Sequence, residues 1–209
     1  MAYFYTKVFN RRNFKLYKFV KTSLLKNYLI EYRPFLLFLG KFVLTYLVLT
    51  FIYQMYLNRF DGEALEVDDF TKAVASQTEK LLLVFGADAA TERHPFEACI
   101  KLFYKGQYIA RIVEGCNSLS VIILFISFIV AFTGKLKHTV LFIIFGSVLI
   151  HVLNISRIAI LAVLLYNYPE QEHFLHGVVF PLFIYAVVFI LWVIWVNKYS
   201  LYAGKSVES

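Results

Sequence analysis

Three kinds of side chain in the second half of the chain have the chemistry that acyl transfer needs. Cys116 offers a thiol, Arg157 a fixed cation, and His173 and His176 two imidazoles. An imidazole can take the proton of a thiol and return a proton to a leaving amine, while a guanidinium stabilises a thiolate or an oxyanion. These residue types indicate covalent catalysis by a cysteine nucleophile, for which no aspartate is required.

Cys116 stands where a polar stretch ends and a long apolar stretch begins. Asn117, Ser118 and Ser120, which are residue types that favour helix N-caps, follow it. The orphan N–H groups and the dipole of a helix N-terminus favour an anion such as a thiolate. The alternative is a small cysteine that only packs between helices, because unpaired cysteines are often buried. The local sequence leaves both interpretations open.

Arg157 interrupts an apolar run between Ile155 and Ile158. An arginine at membrane depth costs several kcal/mol unless it faces a partner or a wet cavity. One alternative is a structural ion pair with Glu114 or Glu172. The other is a functional cavity in which the guanidinium meets a reacting group.

His173 and His176 also have an alternative role, which is metal ligation. Their spacing of three residues, with only Glu170 or Glu172 nearby, makes a weak metal site. An exposed histidine can also have no function at all. The sequence therefore predicts no metal site and no other cofactor.

The composition indicates an integral membrane protein. Of its 209 residues, 60% are hydrophobic and 19% aromatic. The net charge of +7 could indicate a nucleic-acid-binding protein, but the basic residues flank apolar runs. Since zinc-finger spacings and RNA-binding aromatic signatures are absent, the charge indicates membrane topology and no nucleic acid is expected as a partner.

The predicted fold is an all-α integral membrane protein with about four transmembrane helices, an extracytoplasmic amphipathic helix and a small β-hairpin. Its predicted segments are a basic cytoplasmic N-terminal segment (1–33), a first transmembrane helix (34–57), an extracytoplasmic insert (58–115), a catalytic core of three transmembrane helices (116–197) and a cytoplasmic tail (198–209).

The insert has two recognisable patterns. An amphipathic stretch from Phe70 to Phe85 predicts a helix that Gly86 ends. Two β-prone runs, 98–104 and 108–113, are separated by Lys105-Gly106-Gln107. They predict a hairpin that leads the chain to Cys116.

Three apolar runs make up the predicted core, at 117–133, 139–166 and 177–196. The middle run is longer than one untilted span requires, and His151, Asn154 and Arg157 interrupt it. Its helix is therefore expected either to tilt strongly or to break near Asn154.

The basic residues set the predicted topology. Lys135, Lys137 and His138 link the first two core runs, and the positive-inside rule places this link and both termini in the cytoplasm. Cys116 then lies on the outer side, and Arg157 lies about 13 Å below the outer end of its helix. These residues and the two histidines are expected to meet in one outer-leaflet pocket.

Three motifs resemble those of a known family. Glu114-Gly115-Cys116-Asn117-Ser118-Leu119-Ser120, Asn154-Ile155-Ser156-Arg157-Ile158 and His173-Phe174-Leu175-His176-Gly177 resemble the Cys, Arg and His motifs of the exosortase/archaeosortase family. Their order and membrane placement also agree. The resemblance covers about residues 106–196, and the short chain resembles the exosortase F subfamily.

The resemblance implies a specific activity. The family consists of membrane-embedded, sortase-like cysteine transpeptidases that cut a C-terminal sorting signal and pass the exported protein to a surface acceptor. It implies a multi-pass protein of the bacterial inner membrane with its active site facing the periplasm. The implied roles are nucleophile for Cys116, electrostatic stabiliser for Arg157 and general acid/base for His176, or alternatively His173, with support from Glu114, Asn117, Ser118 and Asn154.

The chain also departs from the family pattern. Where the family commonly has Cys-Ser-Gly-Leu and then Arg-Ser, this chain has Cys116-Asn117-Ser118-Leu119-Ser120. His173 has the His-x-x-x-Gly spacing to Gly177, whereas His176 directly precedes the small-residue entry to the last helix, and we prefer His176. Because the chain has fewer helices than larger exosortases, a homodimer or a small membrane partner would supply the missing scaffold.

Other functions remain open at this stage. The main alternative is a non-enzymatic assembly or scaffold protein of a surface-export system, and a pore or transporter is poorly supported by one deep charge among four helices. Cys99 and Cys116 would form a disulfide only if both lay outside the cytoplasm and close together. The sequence does not fix their separation, so we treat them as independent thiols.

Overall fold

The computed structural model describes residue 30 and residues 32–60 and 65–200. Backbone contacts divide the chain into two units, 1–41 and 42–209, and every tertiary contact discussed below lies within the second. Most of the predicted basic segment 1–33 and of the predicted tail 198–209 lies outside the described residues.

The described helices are α1 (Arg33–Leu57), α2 (Asp69–Val84), α3 (Leu119–Ala131), α4 (Leu136–Asn167) and α5 (Phe180–Ile194). Helix α5 is the central part of a continuous helical segment, Pro169–Tyr199. A 3₁₀ turn (Pro169–Gln171), an α-helical turn (Glu172–Phe174) and a π-helical turn (Leu175–Val179) precede it, and a second π-helical turn (Trp195–Tyr199) follows it.

Three of these helical segments are long and apolar enough to cross a membrane: α1, α4 and Pro169–Tyr199. The predicted multi-pass helical membrane fold is therefore confirmed. Helix α3 is apolar but has only 13 residues. At the helical rise it is about 20 Å long, against about 30 Å of hydrocarbon. A count of four full spans stays a prediction.

Helix α4 runs unbroken for 32 residues, so of the two predicted alternatives, a strong tilt or a break near Asn154, the break is wrong. The C-terminal half of α4 packs against the insert. Ile158, Ala159 and Ala162 share one buried cluster with Val74 and Leu82 of α2 and with residues of the sheet. The turns that follow Asn154 are thus covered by protein.

The amphipathic helix of the insert is confirmed as α2. Its N-cap is Asp68, whose carboxylate accepts a 2.9 Å hydrogen bond from the backbone N–H of Thr71. Gly86, with a φ of 76°, follows the C-cap residue Phe85. A left-handed residue at this place is a common way to end a helix.

The predicted hairpin is confirmed and belongs to a larger sheet. Strands β1 (Ala89–Arg93), β2 (Ile100–Tyr104) and β3 (Gln107–Ile112) form an antiparallel sheet in the order β1-β2-β3. Lys105 and Gly106 turn the chain between β2 and β3 with φ values of 50° and 73°, as a two-residue hairpin turn requires. Strand β1 was not predicted.

Helices α3, α4 and α5 share a second buried cluster. Phe125 and Ile129 of α3 pack with Ile150 of α4 and Val188 of α5. A Cβ added to Gly146 of α4 would overlap the ring of Phe125. This close approach fixes where α3 begins along α4, and so positions the loop in front of α3.

Candidate active site

The Cys116 loop, residues 114–118, joins β3 to α3. Glu114–Cys116 form a 3₁₀ turn, and the N–H of Cys116 donates to the carbonyl of Val113 at 2.8 Å. The side-chain oxygen of Asn117 accepts from the N–H of Leu119 at 2.9 Å, so Asn117 bonds one of the orphan N–H groups at the start of α3. Cys116 itself is half-buried.

Ser118 has a left-handed backbone conformation, with a φ of 64°. That conformation costs a residue with a Cβ about 1–2 kcal/mol, which is why glycine favours it. In the Cys-Ser-Gly-Leu pattern of the family that the motif resembles, glycine stands at this place. The buried hydroxyl of Ser118 has no hydrogen-bond partner among the described residues.

Side chains from three distant segments hold the Cys116 loop. Asn154 of α4 donates a 2.7 Å hydrogen bond to the carbonyl oxygen of Cys116. The side-chain amide of Asn117 donates to the hydroxyl of Tyr53 and to that of Thr71, each at 3.2 Å. The loop is thus bonded to α1, α2 and α4, and both asparagines are buried.

Glu114 takes part in the same network. Its carboxylate accepts a 2.9 Å hydrogen bond from the hydroxyl of Tyr53. In the described part of the chain, neither Glu114 nor Glu172 forms an ion pair with Arg157. The alternative of a structural ion pair at Arg157 thus gains no support.

A cavity of about 300 Å³ lies beside the Cys116 loop. Cys116, Arg157 and His176 line it and His173 does not, and both histidines are exposed. Its other lining residues come from β3 and the segment after it, from α4 and from the turn before α5: Ala110, Arg111, Ile112, Val113, Ile158, Leu161, Leu165 and Glu172.

One donor of the Arg157 guanidinium, its buried Nε atom, has no hydrogen-bond partner among the described residues. The guanidinium carbon lies 6.0 Å from the ring centroid of Phe180, a cation–π distance. A guanidinium that lines a cavity and has no ion pair among the described residues is suited to bind an anion.

A second group of polar side chains, His94, Glu97 and Cys99, places its potential ligand atoms within 4.8 Å of one another. The carboxylate of Glu97 already accepts a 2.9 Å hydrogen bond from Arg111. Burial, together with this carboxylate, raises the pKa of the Cys99 thiol. A raised pKa extends the pH range of the neutral thiol, which is a poor metal ligand. Cys99 and Cys116 are both free thiols.

Tyr53 and Thr71 were not predicted as site residues. Each lies more than 40 residues from Asn117 along the chain, with separations of 64 and 46. A tyrosine near the end of an apolar run is usually an interfacial anchor. The sequence carried no stronger signal than that.

A family model described as "Transmembrane exosortase" matches residues 30–194. The chain belongs to this family. A search of the curated proteins and a search of the solved structures each found no match. The matched range contains the Cys116 loop and the whole lining of the cavity. As an exosortase, the chain is a membrane-embedded, sortase-like processing enzyme. Its place in subfamily F stays a prediction.

Proposed function

We propose that this exosortase is a cysteine transpeptidase or protease that cuts the C-terminal sorting signal of exported proteins. It would act at the periplasmic face of the bacterial inner membrane and then transfer or release the protein. The observation that carries the proposal is that Cys116, Arg157 and His176 line one cavity. Family membership supports the class of enzyme.

In the first half-reaction, His176 takes the proton from the sulfur of Cys116, and the thiolate attacks the scissile carbonyl carbon. A C–S bond forms as the carbonyl oxygen takes up the negative charge. When this oxyanion collapses, the C–N bond breaks and His176 gives its proton to the leaving amine. The product is a thioester on Cys116.

In the second half-reaction, water or another nucleophile attacks the thioester carbon; a new C–O or C–N bond forms, the C–S bond breaks and the sulfur leaves as the thiolate. His176 takes the proton of that nucleophile and returns one to the sulfur, so the enzyme regains its starting state. Water would release the exported protein, whereas an amine or a hydroxyl of an acceptor would keep it at the cell surface.

Arg157 would stabilise the oxyanion in both half-reactions. Its guanidinium lines the cavity and forms no ion pair among the described residues, so no ion pair has to break before it meets a new anion. Several walls of the cavity are apolar, among them Ile158, Leu161 and Leu165. In such surroundings a charge–charge interaction is stronger than in water.

The decisive experiment compares Cys116→Ser with Cys99→Ser as the matched control. In cells that make a candidate exported protein, Cys116→Ser should stop cleavage of its sorting signal, and Cys99→Ser should not. Mass spectrometry of the unmodified enzyme should find an acyl fragment on Cys116. Unchanged processing by Cys116→Ser would refute the enzymatic proposal and favour a scaffold protein that only packs these residues.

A further inference from the structure

Strand β3 has one free edge beside the cavity. The sheet order β1-β2-β3 leaves β3 paired with β2 only. Four consecutive residues, Ala110 to Val113, line the cavity that also holds Cys116. The free edge and the proposed nucleophile therefore share one cavity.

Two hydrogen bonds fix which backbone groups of β2 face each neighbouring strand. The N–H of Lys105 donates to the carbonyl of Asp88 at 2.7 Å, and the N–H of His94 donates to the carbonyl of Cys99 at 3.0 Å. In an antiparallel pair, hydrogen-bonded residues alternate with residues whose backbone groups point away. Between these two bonds, the odd-numbered residues of β2 therefore face β1.

The even-numbered residues of β2 then face β3. Ile100 is paired with Ile112, and Leu102 with Ala110. By the same alternation, Ala110 and Ile112 direct their N–H and C=O groups to β2, and Arg111 between them directs its own outward. Arg111 is exposed, and the sheet has no described strand on this side.

We propose that the outward backbone groups of Arg111 bind the substrate, an extended peptide segment that adds to β3 as a fourth strand. This inference rests on the proposed function and names its substrate-binding element. An unpaired edge binds an extended peptide through main-chain hydrogen bonds, whatever the side chains of that peptide are. Since Arg111 and Cys116 line the same cavity, such a strand would bring a peptide carbonyl toward the thiol.

The side chain of Arg111 is not needed for this role. It donates a 2.9 Å hydrogen bond to Glu97, in the segment that joins β1 to β2. Arg111→Ala should therefore keep peptide binding, because it retains the N–H of residue 111. Arg111→Pro removes the side chain as Arg111→Ala does and, in addition, the outward N–H, and proline is tolerated in edge strands at such positions.

The experiment measures how fast Cys116 is alkylated in the full chain carrying Cys99→Ser. The probes are acetyl-Val-Ala-Val-Ala vinyl sulfone, the same peptide with its amides N-methylated, and methyl vinyl sulfone as a reagent without a peptide. Each peptide's alkylation rate is divided by the rate of methyl vinyl sulfone. This ratio should be about tenfold or more higher for the plain peptide than for the methylated peptide, because N-methylation removes two hydrogen bonds.

The variants provide the second comparison. Arg111→Pro should remove the rate advantage of the plain peptide, and Arg111→Ala should keep it. Equal rates for the plain and methylated peptides on the unsubstituted edge would overturn the proposal, even if Arg111→Pro failed to fold. The proposal would also be overturned if a folded Arg111→Pro variant kept the higher alkylation rate with the plain peptide.

A second copy of the chain could instead occupy the edge. The enzyme would then be a dimer in detergent that Arg111→Pro converts to a monomer, with no peptide advantage, and the proposal would be wrong. The test is independent of the proposed activity. Normal processing by Cys116→Ser would refute the enzyme without changing how Cys116 reacts with the peptides.

Discussion

The side-chain amide of Asn154 donates a 2.7 Å hydrogen bond to the backbone carbonyl of Cys116. This bond joins the middle of α4 to the loop that carries the proposed nucleophile. Asn154 lies one turn before Arg157 on the same helix. Helix α4 therefore sets the positions of both the thiol and the guanidinium along its own axis.

Loss of that bond should loosen the loop. Asn154→Leu keeps most of the volume but leaves a buried carbonyl without a partner, which costs about 1–3 kcal/mol. We expect a lower unfolding temperature in detergent and slower processing. Asn167→Leu is the matched control, because the Asn167 amide bonds only within α4. Equal effects of the two substitutions would contradict this role of Asn154.

Tyr53→Phe should impair processing more than it impairs folding. It removes the hydroxyl that joins Glu114 to Asn117, and two such bonds are worth about 1 kcal/mol each. Processing should fall about tenfold, the equivalent of 1.4 kcal/mol, with little change in membrane abundance.

Tyr56→Phe is the control for Tyr53→Phe. The Tyr56 hydroxyl accepts a 3.3 Å hydrogen bond from the N–H of Phe70, away from the Cys116 loop. Its loss should leave processing near normal. In the double variant Tyr53→Phe/Asn117→Ala, the free-energy changes of the two substitutions should be less than additive, because both break the same hydrogen bond. Full additivity would argue against the network.

Ser118→Gly should stabilise the protein. The substitution removes the cost of a left-handed conformation, about 1–2 kcal/mol. The larger backbone entropy that glycine loses on folding offsets about 0.5–1 kcal/mol of this gain. The substitution also removes a buried hydroxyl without a described partner. Ser120→Gly, at an exposed position within α3, should destabilise by about 0.5 kcal/mol instead. Thermal unfolding in detergent measures both changes in stability. If both substitutions destabilise the protein, or both stabilise it, the backbone strain at Ser118 is contradicted.

Arg157→Lys separates geometry from charge. A guanidinium that orients an oxyanion is a planar fork, and lysine replaces it with a point charge. Processing should fall about 10²-fold with normal membrane abundance, since a misplaced oxyanion donor has an effect of that order. Arg157→Leu should abolish it. Near-normal processing by Arg157→Leu, with Glu172→Gln as a control at the cavity wall, would end the catalytic assignment.

The proposed periplasmic location of the site predicts a labelling pattern. In a chain without Cys99 and Cys116, single cysteines at the exposed positions Asp88 and Glu170 should react with a membrane-impermeant reagent in intact cells. A cysteine at the exposed position Lys137 should react only after the cells are opened, because the positive-inside rule places it in the cytoplasm. The opposite pattern would invert the topology.

Local sequence determined much of this protein. Long apolar runs and their basic flanks indicated a multi-pass membrane fold, because hydrocarbon excludes charge over a fixed thickness. Lys105-Gly106 predicted the β2–β3 hairpin, because two adjacent residues with positive φ make a tight turn. The types and order of Cys116, Arg157 and His176 indicated the chemistry that the cavity can support.

Tertiary packing decided what those patterns left open. Strand β1, with the sequence Ala-Ala-Thr-Glu-Arg, lacks an alternating apolar pattern and forms by pairing with β2. The insert packs against the C-terminal half of α4, and the helix runs unbroken where its sequence left open either a tilt or a break.

The same holds for the site. His176 rather than His173 lines the cavity because the turns before α5 bring only one of them to it. Tyr53 reaches Asn117 across 64 residues. Periodicity and turn chemistry act between near neighbours in sequence, whereas such contacts depend on how whole helices pack, which no local pattern encodes.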